Sequence, residues 1–150
     1  MARYILDTNT LTELEYPDTP DYQIIMSKIA SLPAESEICF SIISAYEYQH
    51  GIAKASGSLK ESIKKAWQTF LDLFEALPLT LESAKIYGEI KALYESHTGI
   101  GKKEIKRHTV DFILASSAIE LDAVVVSADR IFQTIQKLYP SLRFENWKEA

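Results

Sequence analysis

Short apolar runs alternate with helical periods along this chain, and the pattern begins at residue 3. Arg3-Tyr4-Ile5-Leu6 is largely apolar or β-prone and runs straight into Asp7-Thr8-Asn9, residues that favour turns and helix caps over strand interiors. An apolar run this short that ends on an acid predicts a buried parallel strand delivering Asp7 to the carboxyl edge of a sheet. Asp18-Thr19-Pro20 then offers a cap and a proline for the first helical position. Ile24, Ile25, Lys28 and Ile29 continue at helical spacing, and the helix ends near Leu32-Pro33. Glu37-Ile38-Cys39-Phe40-Ser41-Ile42 predicts a second buried strand. A helix carrying Tyr46, Glu47, His50 and Lys54 follows it, which makes half of a βαβ unit.

Gly57-Ser58 breaks that helix, and Ser58-Leu59-Lys60-Glu61 has the pattern of a capping box for the next. Ile63, Ala66, Trp67, Phe70, Leu71 and Phe74 form its apolar face, with Lys60, Lys64, Lys65 and Asp72 turned to water. Leu77-Pro78-Leu79-Thr80 is a short candidate strand for a sheet edge, where proline is tolerated. From Ser83 to His97, Ala84, Tyr87, Ile90, Lys91 and Tyr94 recur at three and four, a helix that Gly99 stops. Lys102, Lys103, Lys106 and Arg107 follow in a polar loop. Thr109 caps a helix whose body, Phe112 to Ile119, is apolar or small on nearly every side, as suits a helix packed against a sheet. Ala123-Val124-Val125-Val126-Ser127 is the clearest strand. Asp129 then opens a last helix through Ile131, Phe132, Ile135 and Leu138, and Leu142-Arg143-Phe144 predicts a final strand. The alternation describes an α/β protein, with residues 1–150 forming one domain.

Composition narrows the setting. A chain of 150 residues buries roughly 70% of its unfolded surface, so it needs no covalent staples. The single Cys39 lies inside an apolar run, no secretory apolar region follows Met1, and no apolar stretch approaches the ~20 residues of a spanning helix. Those features predict a cytoplasmic protein with no membrane association. Sixteen basic against 21 acidic residues leave a formal charge of −5, which argues against holding nucleic acid by bulk electrostatics alone. A nucleic-acid ligand would require metal ions or a local basic patch.

Four acids give the plan its chemistry. Asp7 ends the first strand, Asp129 follows the Val-rich strand, Glu47 lies early in the helix after the second strand, and Asp111 lies in the first turn of its helix. A crossover helix runs antiparallel to its strands, so its N-terminus shares the carboxyl edge at which they end. Helical side chains tilt back towards that end, which aims Glu47 at the same rim. Carboxylates gathered there repel one another, and partial burial raises the cost of each charge, so a cation belongs among them. Oxygen ligands suit Mg²⁺ or Mn²⁺. His50, His97 and His108 are scattered, which removes zinc, and the phosphate-loop and nucleophile-elbow motifs are absent from the sequence. A metal-activated water is the nucleophile that remains. Setting the four acids aside leaves 17 acidic against 16 basic residues, close to neutrality. Taken singly, Asp7 or Asp129 reads equally as a turn or helix cap, Asp111 as a charge stabilising a helix N-terminus and Glu47 as an ordinary exposed helical glutamate, and the rim fits a noncatalytic α/β module that binds a cation or a protein. A phosphotransferase is disfavoured, because no Asp-x-Asp pair follows the first strand.

Leu6-Asp7-Thr8-Asn9, Ser44-Ala45-Tyr46-Glu47 with Gly51, Asp111-Phe112-Ile113-Leu114-Ala115 with Ala118, and Val126-Ser127-Ala128-Asp129 with Phe132 resemble the four acidic motifs of the PIN-domain nucleases. Their order and spacing are similar to those of the VapC-like toxins of toxin–antitoxin pairs. The resemblance implies a three-layer α/β/α fold with a short, mainly parallel sheet. It also implies Mg²⁺- or Mn²⁺-dependent cleavage of RNA, a homodimer, and inhibition by a cognate antitoxin protein. Carried over by motif, Asp7 and Asp111 are the principal metal ligands, Glu47 and Asp129 complete the site directly or through water, and Thr8, Asn9 and Ser127 orient the carboxylates. Lys102, Lys103, Lys106, Arg107 and Arg130 are the candidate RNA contacts, although the run from Lys102 to Arg107 reads more readily as a solvated loop than as a phosphate-contacting strip. The basic stretch before Asp111 and Ser116-Ser117 after Ala115 depart from the family's common pattern.

Overall fold

Five parallel strands organise the computed structural model, which describes residues 2–149. They are β1 (Arg3–Leu6), β2 (Glu37–Ser41), β3 (Glu75–Leu77), β4 (Val124–Val126) and β5 (Arg143–Glu145), in the spatial order β3-β2-β1-β4-β5. The register places Ile5 opposite both Cys39 and Val125, and Leu6 opposite both Phe40 and Val126. The three central strands β1, β2 and β4 are buried over most of their length, and each ends on or runs into a polar residue at the carboxyl edge: Asp7, Ser41 and Ser127.

Alternation along the strands divides the interior into two cores. Ile5, Cys39 and Val125 point to one face, where α5 (Leu81–Thr98), α7 (Thr109–Leu121) and α8 (Ile131–Leu138) cover them with Ile90, Phe112, Leu114, Phe132 and Ile135. Tyr4, Leu6, Phe40, Val124 and Val126 point to the other. There α1 (Thr8–Glu13), α2 (Pro20–Ser31), α3 (Ile42–Lys54) and α4 (Gly57–Leu73) supply Leu11, Ile25, Tyr48, Ile52, Trp67 and Phe70. The result is the three-layer α/β/α arrangement expected from the sequence. Trp67 stacks on Tyr48 with centroids 5.1 Å apart, and Trp147 packs on Tyr4 at 5.5 Å, so both tryptophans are core residues. Cys39 is buried, and burial, aided by Glu75, pushes its thiol up to about 11. No helix of the described residues is long and apolar enough to cross a membrane.

The chain turns back at β1. Crossovers through α1–α2 and α3–α4 build the sheet in one direction on one face, whereas α5–α7 and α8 build it in the other direction on the opposite face. A crevice therefore opens between the carboxyl ends of β1 and β4, the topological switch point at which open α/β sheets bind ligands.

Several local expectations need correction. The stretch Lys102–His108, expected as a loop, is a short helix α6 (Lys102–Ile105) and a 3-10 turn, because Ile105 buries itself in the core and folds the basic run around it. α4 starts at Gly57, whose φ of +61° suits glycine, so Ser58 lies inside the first turn and caps nothing. Leu71, expected on the apolar face, is exposed beside Leu73. β3 lies upstream of the stretch read as a strand, sharing only Leu77 with it. Thr109 is the first residue of α7, not its cap, and donates instead to the carbonyl of Lys106 at 2.9 Å.

A capping box does occur, at Thr80 and Ser83. Thr80 Oγ1 accepts from the Ser83 amide at 3.1 Å, Ser83 Oγ accepts from the Thr80 amide at 3.3 Å, and Thr80 Oγ1 also donates to Glu120 of α7 at 2.7 Å. Thr80→Ala loses both the cap and the link between helices, and should cost about 1–2 kcal/mol in urea denaturation. An unchanged midpoint would show that the pair contributes nothing net.

Candidate active site

Four elements deliver their acids to the switch-point crevice. Asp7 leaves β1 as the N-cap of α1: its Oδ1 accepts from the Thr10 amide at 2.7 Å, and its own amide donates to the carbonyl of Val126 at 3.1 Å. A carboxylate only 5% exposed is held by these bonds and by Ser127 Oγ, which donates to Oδ2 at 2.5 Å. Ser127 also accepts from the Asp129 amide at 3.0 Å, and Asp129 Oδ1 caps the Ile131 amide at 3.0 Å. One hydroxyl thus ties the acids after β1 and β4 together.

Glu47 is exposed on α3, but its carboxylate is fixed: Thr8 Oγ1 donates to Oε1 at 2.5 Å and lies 2.9 Å from the buried Ser44 hydroxyl. Ser44 sits one helical turn before Glu47, so the same face of α3 presents both. Asp111 comes from the first turn of α7, with Oδ2 3.5 Å from His108 Nδ1. Burial, then the charge of Asp129, pushes the Asp111 carboxyl up to about 6; His108 pulls it down and Asp7 adds a further upward push.

Asp7, Thr8, Asn9, Glu47, Arg107, Asp111 and Asp129 line one cleft of about 240 Å³. All four expected acids meet there, together with Thr8 and Asn9. Ser127 stands behind Asp7. The basic residues divide: Arg107 borders the cleft while pairing with Glu104 at 3.5 Å, and Arg130 lies in an adjoining cleft beyond Asp129. Lys102, Lys103 and Lys106 are exposed on the flanking turns and line neither. Of the two tyrosines beside Glu47, Tyr48 is core and Tyr46 is 71% exposed. Thr10, Ser44 and His108 support the site without having been expected to. Ser44 and His108 stand three residues before an acid, a spacing that brings side chains within reach of one another but is common on any polar helix face.

The donor set suits a hard divalent cation. Carboxylate and hydroxyl oxygens dominate the cleft, and among the described residues no lysine or arginine forms an ion pair with Asp7, Glu47, Asp111 or Asp129. The upward push on Asp111 comes first from burial and then from Asp129, and His108 offsets only part of it. Glu37, Cys39 and Glu75 gather ligand atoms within 4.8 Å of one another at the opposite, amino edge of the sheet. Arg3 already neutralises Glu37 there at 2.8 Å, and the thiol stays protonated.

The arrangement has a counterpart among known proteins: a profile of the PIN domain matches residues 4–138. The chain belongs to the PIN-domain family. Its structure is similar to that of VapBC2 from Rickettsia felis bound to a DNA fragment from its promoter (TM-score 0.72, 26% identity, covering 97% of this chain and 99% of that one). VapBC-1 from nontypeable Haemophilus influenzae shares the fold (0.73, 21%, 98% and 99%). So does VapBC-5 from Mycobacterium tuberculosis, a member of the VapBC family of toxin–antitoxin systems (0.66, 15%, 96% and 98%). No curated protein shows significant sequence similarity to the chain. Within the PIN fold, this chain's acids occupy the crevice that its strand order creates.

Proposed function

We propose that this protein is a divalent-metal-dependent endoribonuclease and the toxin of a toxin–antitoxin pair. The observation that carries this proposal is the arrival of Asp7, Glu47, Asp111 and Asp129 from four separate elements in one cleft. Asp7 and Asp111 would hold Mg²⁺ or Mn²⁺, with Glu47 and Asp129 completing the set directly or through water. When bound, such an ion lowers the pKa of a water and offsets negative charge on the scissile phosphate.

The chain's own groups set the geometry. Ser127 fixes Oδ2 of Asp7 and the backbone entering Asp129, and Thr8 fixes Glu47. Asn9 stands at the open side of the cleft. The Asp111 carboxyl, raised by burial and by Asp129, would be favoured in its ionised form by a cation held beside it. Arg107 and, beyond Asp129, Arg130 flank the path of an RNA strand, and Lys102, Lys103 and Lys106 extend that flank outward. The similarity to VapBC proteins supports a cognate antitoxin as partner. A homodimer of single-domain chains acting in the cytoplasm completes the proposal.

The test is incubation of total cellular RNA with the purified protein in Mg²⁺, in Mn²⁺ and in chelator. Discrete fragments that require metal are expected. Intact RNA, in total and in purified structured pools, from protein that binds Mn²⁺ would identify a noncatalytic cation-binding module instead. Within the same assay Ser127→Ala should raise the metal concentration for half-maximal cleavage by about 10–100-fold, the usual cost of losing a group that orients a ligand. An unshifted metal dependence would remove Ser127 from that role.

A further inference from the structure

The second cleft beyond Asp129 has a chemistry of its own. It encloses about 230 Å³ and is bounded by Asp129, Arg130, Gln133, Phe144, Asn146 and Glu149. Asp129 is common to both clefts, so whatever lies in the second continues directly from the first. Its volume is below the ~300–1,000 Å³ of pockets that enclose a whole small-molecule ligand, which suits one planar group of a longer molecule.

The lining combines what recognition of an unpaired nucleotide requires: an aromatic ring, two carboxamides and a guanidinium. Phe144, half-buried on β5 and packed against the core, and Gln133, exposed on α8, both line the cleft. Asn146 is held in place. Its Oδ1 accepts from the Lys148 amide at 3.0 Å, and its NH₂ donates to no group among the described residues. The segment carrying it is pinned on both sides: Trp147 Nε1 donates to Glu145 at 2.9 Å, and Lys148 Nζ reaches Glu13 at 2.5 Å. Such pre-organisation lowers the cost of ordering side chains on binding. Among the described residues Arg130 forms no ion pair with a carboxylate, which leaves its guanidinium for a phosphate. Glu149 is the opposing charge at the mouth, and it disfavours a second phosphate there.

We propose that the cleft formed by Arg130, Gln133, Phe144 and Asn146 holds an unpaired nucleotide adjacent to the scissile phosphate and selects its base. Arg130 contacts the flanking phosphate, Phe144 packs on the base, and the two carboxamides hydrogen-bond its edge. This inference rests on the nuclease assignment and adds the determinant of sequence preference.

The test uses single-stranded RNAs that differ only in the bases on either side of the mapped cleavage position, cut by the full-length protein in Mg²⁺. Wild type should prefer one base at one of these positions by at least about tenfold in kcat/KM. Gln133→Ala and Asn146→Ala should each reduce that ratio several-fold while leaving Mn²⁺ affinity, measured by calorimetry, unchanged. Asn146→Asp keeps the acceptor for the Lys148 amide but replaces the NH₂ donor with an acceptor, and should shift the preference to a different base. A ratio unaltered in these variants, no preference in wild type, or a loss uniform across all bases overturns the proposal. Variants that weaken only capture of a protein partner would make the cleft a protein-docking surface and equally overturn it. Failure of wild type to cut any RNA removes the nuclease assignment itself, an outcome separate from cleavage with an untouched preference.

Discussion

Asp7→Asn should lower metal-dependent RNA cleavage by on the order of 10³-fold or more, a larger loss than that of an orienting group, and should leave the fold intact. The two halves of this expectation come from different atoms of one side chain. Oδ1 caps α1 by accepting from the Thr10 amide, and asparagine performs that role as well as aspartate. At the second position the substitution exchanges an acceptor for an NH₂ donor facing Ser127. The Ser127 hydroxyl, which already accepts from the Asp129 amide, can turn and accept from that NH₂ as well, at the cost of the one bond it donates. Beyond that bond, only the negative charge and one ligand atom disappear. The measurement is cleavage of total RNA in Mg²⁺ by wild type and variant prepared identically, with circular dichroism and thermal melts as the fold control. Cleavage at the wild-type rate by a folded variant would exclude Asp7 as a ligand and point to a contaminating nuclease.

Asp7 alone reads as readily as a cap, a role it does play for α1, and was legible because β4 with Ser127 and Asp129 repeats the pattern of a buried strand running into an acid. The two strands bracket a crevice, yet their adjacency is not written in either one. It follows from the strand order β3-β2-β1-β4-β5, which depends on which helices cover which face. The carboxyl-edge rule recovers the rim without knowing that order, since all parallel strands end there. Local detail was less legible where a single residue decides. Ile105 alone turns the basic run Lys102–His108 into helical turns, and that run otherwise has the composition of a loop. The Thr80–Ser83 box uses serine where glutamate or glutamine is the usual signal, whereas Ser58–Glu61 shows the signal but begins two residues after Ser56, the position that caps α4. β3, exposed over two of its three residues, has little apolar pattern to betray it. Ser44 and His108 support acids through contacts that a one-dimensional pattern does not distinguish from ordinary helix polarity.

Asp111→Asn should abolish cleavage and, in the metal-free protein at pH 7.5, raise stability. The Asp111 carboxyl is pushed from its ordinary 3.8 to about 6, with burial first and Asp129 second among the causes. Between those two values the folded chain keeps a proton that the unfolded chain has released, so stability falls as pH rises through the window and stays low above it. Each unit corresponds to about 1.4 kcal/mol, and the side chain is 20% exposed, which together give a penalty of roughly 2 kcal/mol at neutral pH. Asparagine keeps the shape without the charge and escapes the penalty. Urea denaturation of wild type and variant in chelator at pH 4, 5, 6 and 7.5 isolates the effect, because the difference between the two proteins cancels other titrating groups. The difference should grow in favour of the variant from pH 4 to 7.5. Saturating Mg²⁺ should then stabilise wild type more than the variant, since a bound cation compensates the charge that burial penalises. A variant less stable than wild type at pH 7.5 without metal would mean that the His108 contact outweighs the desolvation of Asp111, and the site would then be structurally satisfied without an ion.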